Sequence, residues 1–167
     1  MIVVCPLSKL EATVADVRPD RLISVLSEGT ELVRPAAIDA ANHLHITMHD
    51  ISEEREGMTL PGEEHVRRIL DFARAWDRRR PLVVHCYAGI SRSTATAYMV
   101  AAAFAPGRSE AELARTLRRL SPSATPNQRM IALADHILRR EGRMVSAIQG
   151  IGRGAEAFEG TPFTLEI

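Results

Sequence analysis

Cys86 and Arg92 stand with five residues between them, in the run Pro81-Leu82-Val83-Val84-His85-Cys86-Tyr87-Ala88-Gly89-Ile90-Ser91-Arg92-Ser93-Thr94. The run opens β-branched and apolar, the pattern of a buried strand. It closes on an alanine-rich stretch, Thr94 to Ala105, with the pattern of a buried helix. A strand that enters a helix through a tight turn aims successive backbone N–H groups at one concave spot, and the helix N-terminus adds partial positive charge there. Such a spot takes an anion. For a cysteine at its edge, the amides, the helix terminus and a guanidinium all favour the thiolate, which is the nucleophilic form. Arg92 offers a planar fork of donors that matches two oxygens of a phosphate, so the group attacked is phosphoryl. Gly89 permits positive φ or close backbone approach in mid-turn. Ser93 can donate its hydroxyl to the sulfur as it leaves.

His85-Cys86, five residues, then Arg92-Ser93 resembles the signature loop of the cysteine-based protein tyrosine phosphatases, and the small chain is most similar to their dual-specificity branch. The context carries the resemblance as much as the spacing. A strand lies before the loop and a helix behind it, His precedes Cys, Gly takes the third place after Cys and Ser follows Arg. The resemblance implies a single α/β domain over residues 1–167, with a mostly parallel sheet of four or five strands flanked by helices. It implies hydrolysis of phosphotyrosine, and of phosphoserine or phosphothreonine as well, through a phosphocysteine. Tyr87, Ala88, Gly89, Ile90, Ser91 and Arg92 would bind the phosphoryl group, with no metal or other cofactor.

Expelling an alkoxide or phenoxide needs a proton donor across the phosphorus from Cys86. Asp50 is the candidate: it lies just past the strand His43 to Met48, at the distance ahead of the cysteine that the dual-specificity pattern has. Its rivals are Asp39, Glu53 and Glu54, and the plainer alternative is an aspartate capping a turn. His85 reads as a support of the turn or a core histidine, not as a proton carrier. Asn127, after Thr125-Pro126, stands where the resemblance implies a turn supporting the loop; a helix start explains it equally well. His43, His45 and His49 raise a metal site, but neither a cysteine nor a carboxylate set completes it. Cys5 reads as a small buried residue, with a disulfide to Cys86 as its functional alternative.

The positioning elements follow from period and punctuation. Met1 to Leu7 is a strand, and Ser8-Lys9-Leu10-Glu11 is a capping box that opens a helix. Arg21 to Leu26 is a second strand, giving a strand-helix-strand unit with parallel pairing as its default. His43 to Met48 alternates and belongs near a sheet edge. Residues 49–62 form an acidic loop. Val66, Ile69, Leu70, Ala73 and Trp76 mark one face of a helix over 63–80, stopped by Pro81. The buried helix closes at Pro106-Gly107. Ser109 opens another, and Thr125-Pro126-Asn127-Gln128 starts a third with proline at its first position, ended by Gly142. Residues 143–167 read as a final helix and an extended tail. The glycines from Gly150 to Gly154 fit a dinucleotide-binding spacing, yet too little chain follows to build that unit.

At 167 residues the chain can bury roughly 70% of its unfolded surface. Lys+Arg and Asp+Glu balance at 21 each, so no global field favours nucleic acid or an anionic membrane. The arginine excess, 20 to a single lysine, is scattered over helix faces and ends. Two cysteines and no secretory leader point to a reducing, cytoplasmic setting. No apolar run is long enough for a membrane span. The expected partner is a phosphorylated protein. Lysine is missing from the turn, which disfavours a phosphoinositide; an RNA 5′-phosphate is a further substrate within the same branch. A sulfurtransferase would use the same thiolate loop without Asp50 or Ser93, and a catalytically weak phospho-binding module would keep only the pocket.

Overall fold

The structure is a computed structural model that describes residues 1–105 and 107–167. Strands β1 (Ile2–Pro6), β2 (Arg21–Leu26), β3 (His43–Thr47), β4 (Leu82–Cys86) and β5 (Phe163–Leu165) form one sheet in the order β3-β2-β4-β1-β5. The first four are mutually parallel and β5 runs antiparallel to β1. The mostly parallel α/β architecture is as expected, with β3 at an edge. One detail differs: β1 and β2 are not neighbours, because β4 pairs with both and lies between them.

Both faces of the sheet are covered, which is why its strands read as continuous apolar runs. Val3, Cys5, Leu22 and Val83 face α1 (Leu10–Val17) and Ile38 of the connection after β2. Ile2, Val4, Ile23, Val25, Ile46, Leu82 and Val84 face the opposite way. Against them pack α2 (Glu63–Arg74), α3 (Arg92–Phe104), α4 (Glu110–Leu120), α5 (Gln128–Ile137) and α6 (Arg143–Ile151). Helix α3 is the central one of these: from Arg92 to Ala102 every residue is buried. Its alanines let the backbone lie close to the sheet. Among the described residues no helix is long and apolar enough to cross a membrane.

Several boundaries depart from the sequence expectation. Ser8 caps nothing: residues Leu7–Lys9 form a 3-10 turn, α1 starts at Leu10, and the Ser8 hydroxyl donates to Glu159. Helix α2 stops at Arg74, short of Arg80. Trp76 stays buried by closing a turn onto Ala73 and donating its Nε1–H to Arg80 O, so the three arginines lie beyond the helix. Helix α5 is capped by Asn127, whose side chain accepts from Met130 N–H, and Pro126 precedes the cap rather than sitting inside the helix. Gly142, with φ +83°, begins α6 and does not end α5. There the Asp135 carboxylate accepts from the N–H groups of Gly142 and Met144, satisfying free amides at the helix start. The stop expected at Pro106 lies outside the described residues.

Candidate active site

The turn from β4 to α3 is held from outside by its carbonyls. Tyr87 O accepts from Leu7 N–H, Ala88 O from Gly160 N–H, Ile90 O from Thr125 N–H and Ser91 O from Asn127 N–H. The Thr94 hydroxyl also reaches the carbonyls of Ile90 and Ser91. In a trans peptide the C=O and the following N–H point opposite ways. The N–H groups of Ala88, Gly89, Ser91 and Arg92 are thereby turned to the inside of the loop. Gly89 has φ +69°, and a Cβ there would stand 2.8 Å from Pro6 N, so only glycine lets the turn close onto the end of β1.

Cys86 ends β4 with its thiol buried, 3.1 Å from the Ser93 hydroxyl on the first turn of α3. Arg92 is also buried and reaches across the loop. Its Nη1 donates to Met48 O at 2.8 Å, at the end of β3, and to the Ser27 hydroxyl at 3.0 Å. Its Nε is buried and has no hydrogen-bond partner among the described residues. Two independent supports therefore fix the guanidinium while donors remain for an anion inside the loop.

Asp50 follows β3 and is brought to the loop's rim. One carboxylate oxygen accepts from the Ser91 hydroxyl at 2.7 Å and from Asn127 Nδ2 at 2.8 Å. The other, Oδ2, has no hydrogen-bond partner among the described residues. Asn127 thus does two jobs, capping α5 through its oxygen and holding Asp50 through its nitrogen. The loop behind Asp50 is pinned where His49 N–H donates to Thr59 O and Thr59 N–H returns to His49 Nδ1.

His85, fully buried, lies on the α1 side of the sheet. Its Nε2 is 2.6 Å from the Ser24 hydroxyl, which in turn is 2.8 Å from His43 Nε2. This polar chain crosses three adjacent strands directly before Cys86. Burial pulls the His85 ring down to about 4, with the Cys86 backbone opposing and His43 and His45 assisting, so the ring is neutral. His43 is lowered by burial, then by His45 and Arg34. Cys5, paired in register with His85, is pushed up to about 12 by burial, against a hydrogen bond with Thr13 and with the Cys86 charge adding to the rise. It is a neutral thiol.

The structure brings His85, Cys86, residues 87–91, Arg92, Ser93, Asp50 and Asn127 together. Asp39 precedes the 3-10 turn Ala40–Asn42 that leads into β3, and among the described residues it makes no hydrogen bond to the loop. Sequence reasoning missed Ser24, Ser27, Met48 O, and the backbone of Gly160. Only Ser24 gave a signal, as a polar residue in the otherwise apolar stretch Leu22 to Leu26.

No protein-family model matches the chain, and no curated protein does. Solved structures do. DUSP15 aligns at a TM-score of 0.64 with 16% identity over 89% of this chain and 88% of that one. Human DUSP28 gives 0.59 and 18% over 84% and 86%. The Yvh1 phosphatase domain from Chaetomium thermophilum gives 0.61 and 17% over 84% and 91%. The chain has the fold of the cysteine-based protein tyrosine and dual-specificity phosphatases.

Proposed function

We propose that the protein is a phosphatase that hydrolyses phosphotyrosine, and phosphoserine or phosphothreonine, in proteins through a phosphocysteine intermediate. The observation that carries this reading is the carbonyl-out arrangement of residues 87–91, which leaves four N–H groups and a doubly braced arginine around one buried cysteine. In the first step Cys86 Sγ attacks phosphorus in line as the bond to the substrate oxygen breaks. The loop amides and Arg92 hold the three equatorial oxygens. Asp50, fixed through one oxygen, gives a proton from the other to the leaving oxygen. In the second step the Asp50 carboxylate takes a proton from water, water attacks phosphorus, and the S–P bond breaks. The Ser93 hydroxyl donates to the departing thiolate. Neither step calls on a metal ion.

The test is hydrolysis of para-nitrophenyl phosphate in EDTA and reductant by the native protein and by Cys86→Ser. Turnover that vanishes in the variant, with non-covalent binding of an oxyanion such as tungstate retained, is the expected result. Activity surviving in Cys86→Ser would remove the nucleophile assignment. No activity in folded native protein would return weight to a phospho-binding module or, if cyanide-dependent thiocyanate release is seen, to a sulfurtransferase.

A further inference from the structure

Beyond α6 the chain does not leave the site. Arg118 holds the carbonyls of Ile151 and Gly152, and Gly154 N–H donates to Thr125 Oγ1. Ala155 N–H donates to Pro122 O. Six residues after Gly154, Gly160 N–H donates to Ala88 O in the phosphate loop itself. Both glycines are required by proximity. A Cβ on Gly154 would meet Ser123 O at 2.6 Å, and one on Gly160 would meet Gly89 O at 2.8 Å. The segment between them is a strap tied at one end to the turn that supports the loop and at the other to the loop.

A cleft of about 900 Å³ lies between this strap and the loop. Asp50, Ile90 and Pro126 line one side, and Ala155, Ala157 and Phe158 the other. Its lining touches the loop at Ile90 and Ser91 without including Cys86. Whatever fills it is therefore beside the phosphoryl group, not the phosphoryl group. The volume is at the upper end of the roughly 300–1,000 Å³ of ligand clefts, room for several residues. Two features of the strap point to a polypeptide. Among the described residues the backbone N–H and C=O groups of Glu156, Ala157 and Phe158 find no hydrogen-bond partner, and these exposed groups are open to another backbone. Phe158 is 88% exposed, an apolar ring held out by a segment whose ends are fixed. Charge argues against a polyphosphorylated small molecule: the cleft's one cation, Arg153, stands 3.8 Å from Glu156.

We propose that the strap between Gly154 and Gly160 is the docking wall for the polypeptide segment next to the phosphoresidue, with Phe158 taking an apolar side chain of the substrate. The proposal rests on the phosphatase reading and adds what that reading lacks, a determinant of which phosphoproteins are chosen. Phe158 is not one of the residues assigned to the chemistry, so its replacement separates docking from turnover.

The experiment compares native protein and Phe158→Ser on para-nitrophenyl phosphate and on two phosphotyrosyl peptides, identical except for leucine or glycine on both sides of the phosphotyrosine. The expected native KM is about tenfold lower for the leucine peptide, equivalent to about 1.4 kcal/mol. Phe158→Ser should erase that preference at unchanged kcat and leave para-nitrophenyl phosphate within about twofold. Equal KM values for the two peptides in the native protein would overturn the proposal. So would a parallel loss on para-nitrophenyl phosphate, which would make the strap a prop for the loop. If the native protein turns over none of the three, the phosphatase reading fails by itself. Fluorescence anisotropy of the same peptides on Cys86→Ser, with and without Phe158→Ser, then decides the docking wall: a leucine preference lost with Phe158 upholds it, and no preference overturns it.

Discussion

Acidification should destabilise this protein through His85. The ring is buried before the loop, and its folded value is about 4 against 6.5 for a free imidazole. Above 6.5 it is neutral in both folded and unfolded chains and costs nothing. Between 6.5 and 4 the unfolded chain takes up a proton that the native state refuses, so stability falls as pH falls. Below 4 both states bind the proton and the loss is complete. At about 1.36 kcal/mol per pH unit of difference, the loss is about 3 kcal/mol. With a urea dependence of about 1–3 kcal/mol per molar, the denaturation midpoint should move by about 1–3 M. The assay is urea unfolding followed by far-UV circular dichroism from about pH 7 to 4, in native protein and His85→Gln. The glutamine cannot titrate but can still meet the Ser24 hydroxyl. His65, lowered by its own burial and by Arg68, is untouched by the substitution and cancels in the comparison. The native midpoint should fall by about 1–3 M more than that of the variant. Matching slopes would mean that His85 is charged in the folded state, and the neutral Ser24 chain described above would be wrong.

Two further substitutions probe the site. Asp50→Asn should keep its hydrogen bonds to Asn127 and Ser91 after an amide flip but lose the proton. Its kcat should fall about 100-fold or more on phenyl phosphate and far less on a substrate with a good leaving group, within the usual range for general acids; equal losses would make Asp50 structural. Gly89→Ala places a Cβ 2.8 Å from Pro6 N at φ +69°, so the loop or the end of β1 must move. Stability should drop by about 1–3 kcal/mol, read from thermal unfolding, and para-nitrophenyl phosphate turnover should fall at least about tenfold. Unchanged turnover would show that the loop does not depend on that close approach.

The parts of this site that sequence makes legible are those built from consecutive residues. From Leu82 to Thr94 the strand, turn and helix each carry their own local signal, and the turn's residue types complete the picture without any distant partner. Asp50 is legible for a related reason, since it follows directly on a strand whose alternation is plain. Local rules fail where a distant partner outbids them. Ser8 and Glu11 have the spacing of a capping box, but Leu7 N–H is drawn to Tyr87 O and the Ser8 hydroxyl to Glu159, so the helix starts later. Thr125-Pro126 reads as a cap and first turn, but Thr125 N–H is taken by Ile90 O, and the cap passes to Asn127. Both of these failures fall on residues recruited to the loop or to its surroundings.

The same reasoning explains why the braces of the loop could not be read in advance. Its outward carbonyls are met by Leu7, Gly160, Thr125 and Asn127, four amides from three separate stretches of chain. Any residue but proline can supply a backbone amide, so no side-chain pattern announces it. What the sequence does contain is the permission: Gly89 and Gly160, where a methyl group would strike backbone at 2.8 Å. The loop's inward amides are thus a tertiary product. Four amides must be in place outside before the N–H groups inside face one point, and a truncation before Gly160 would leave the signature residues intact while releasing Ala88 O from one of its fixed partners.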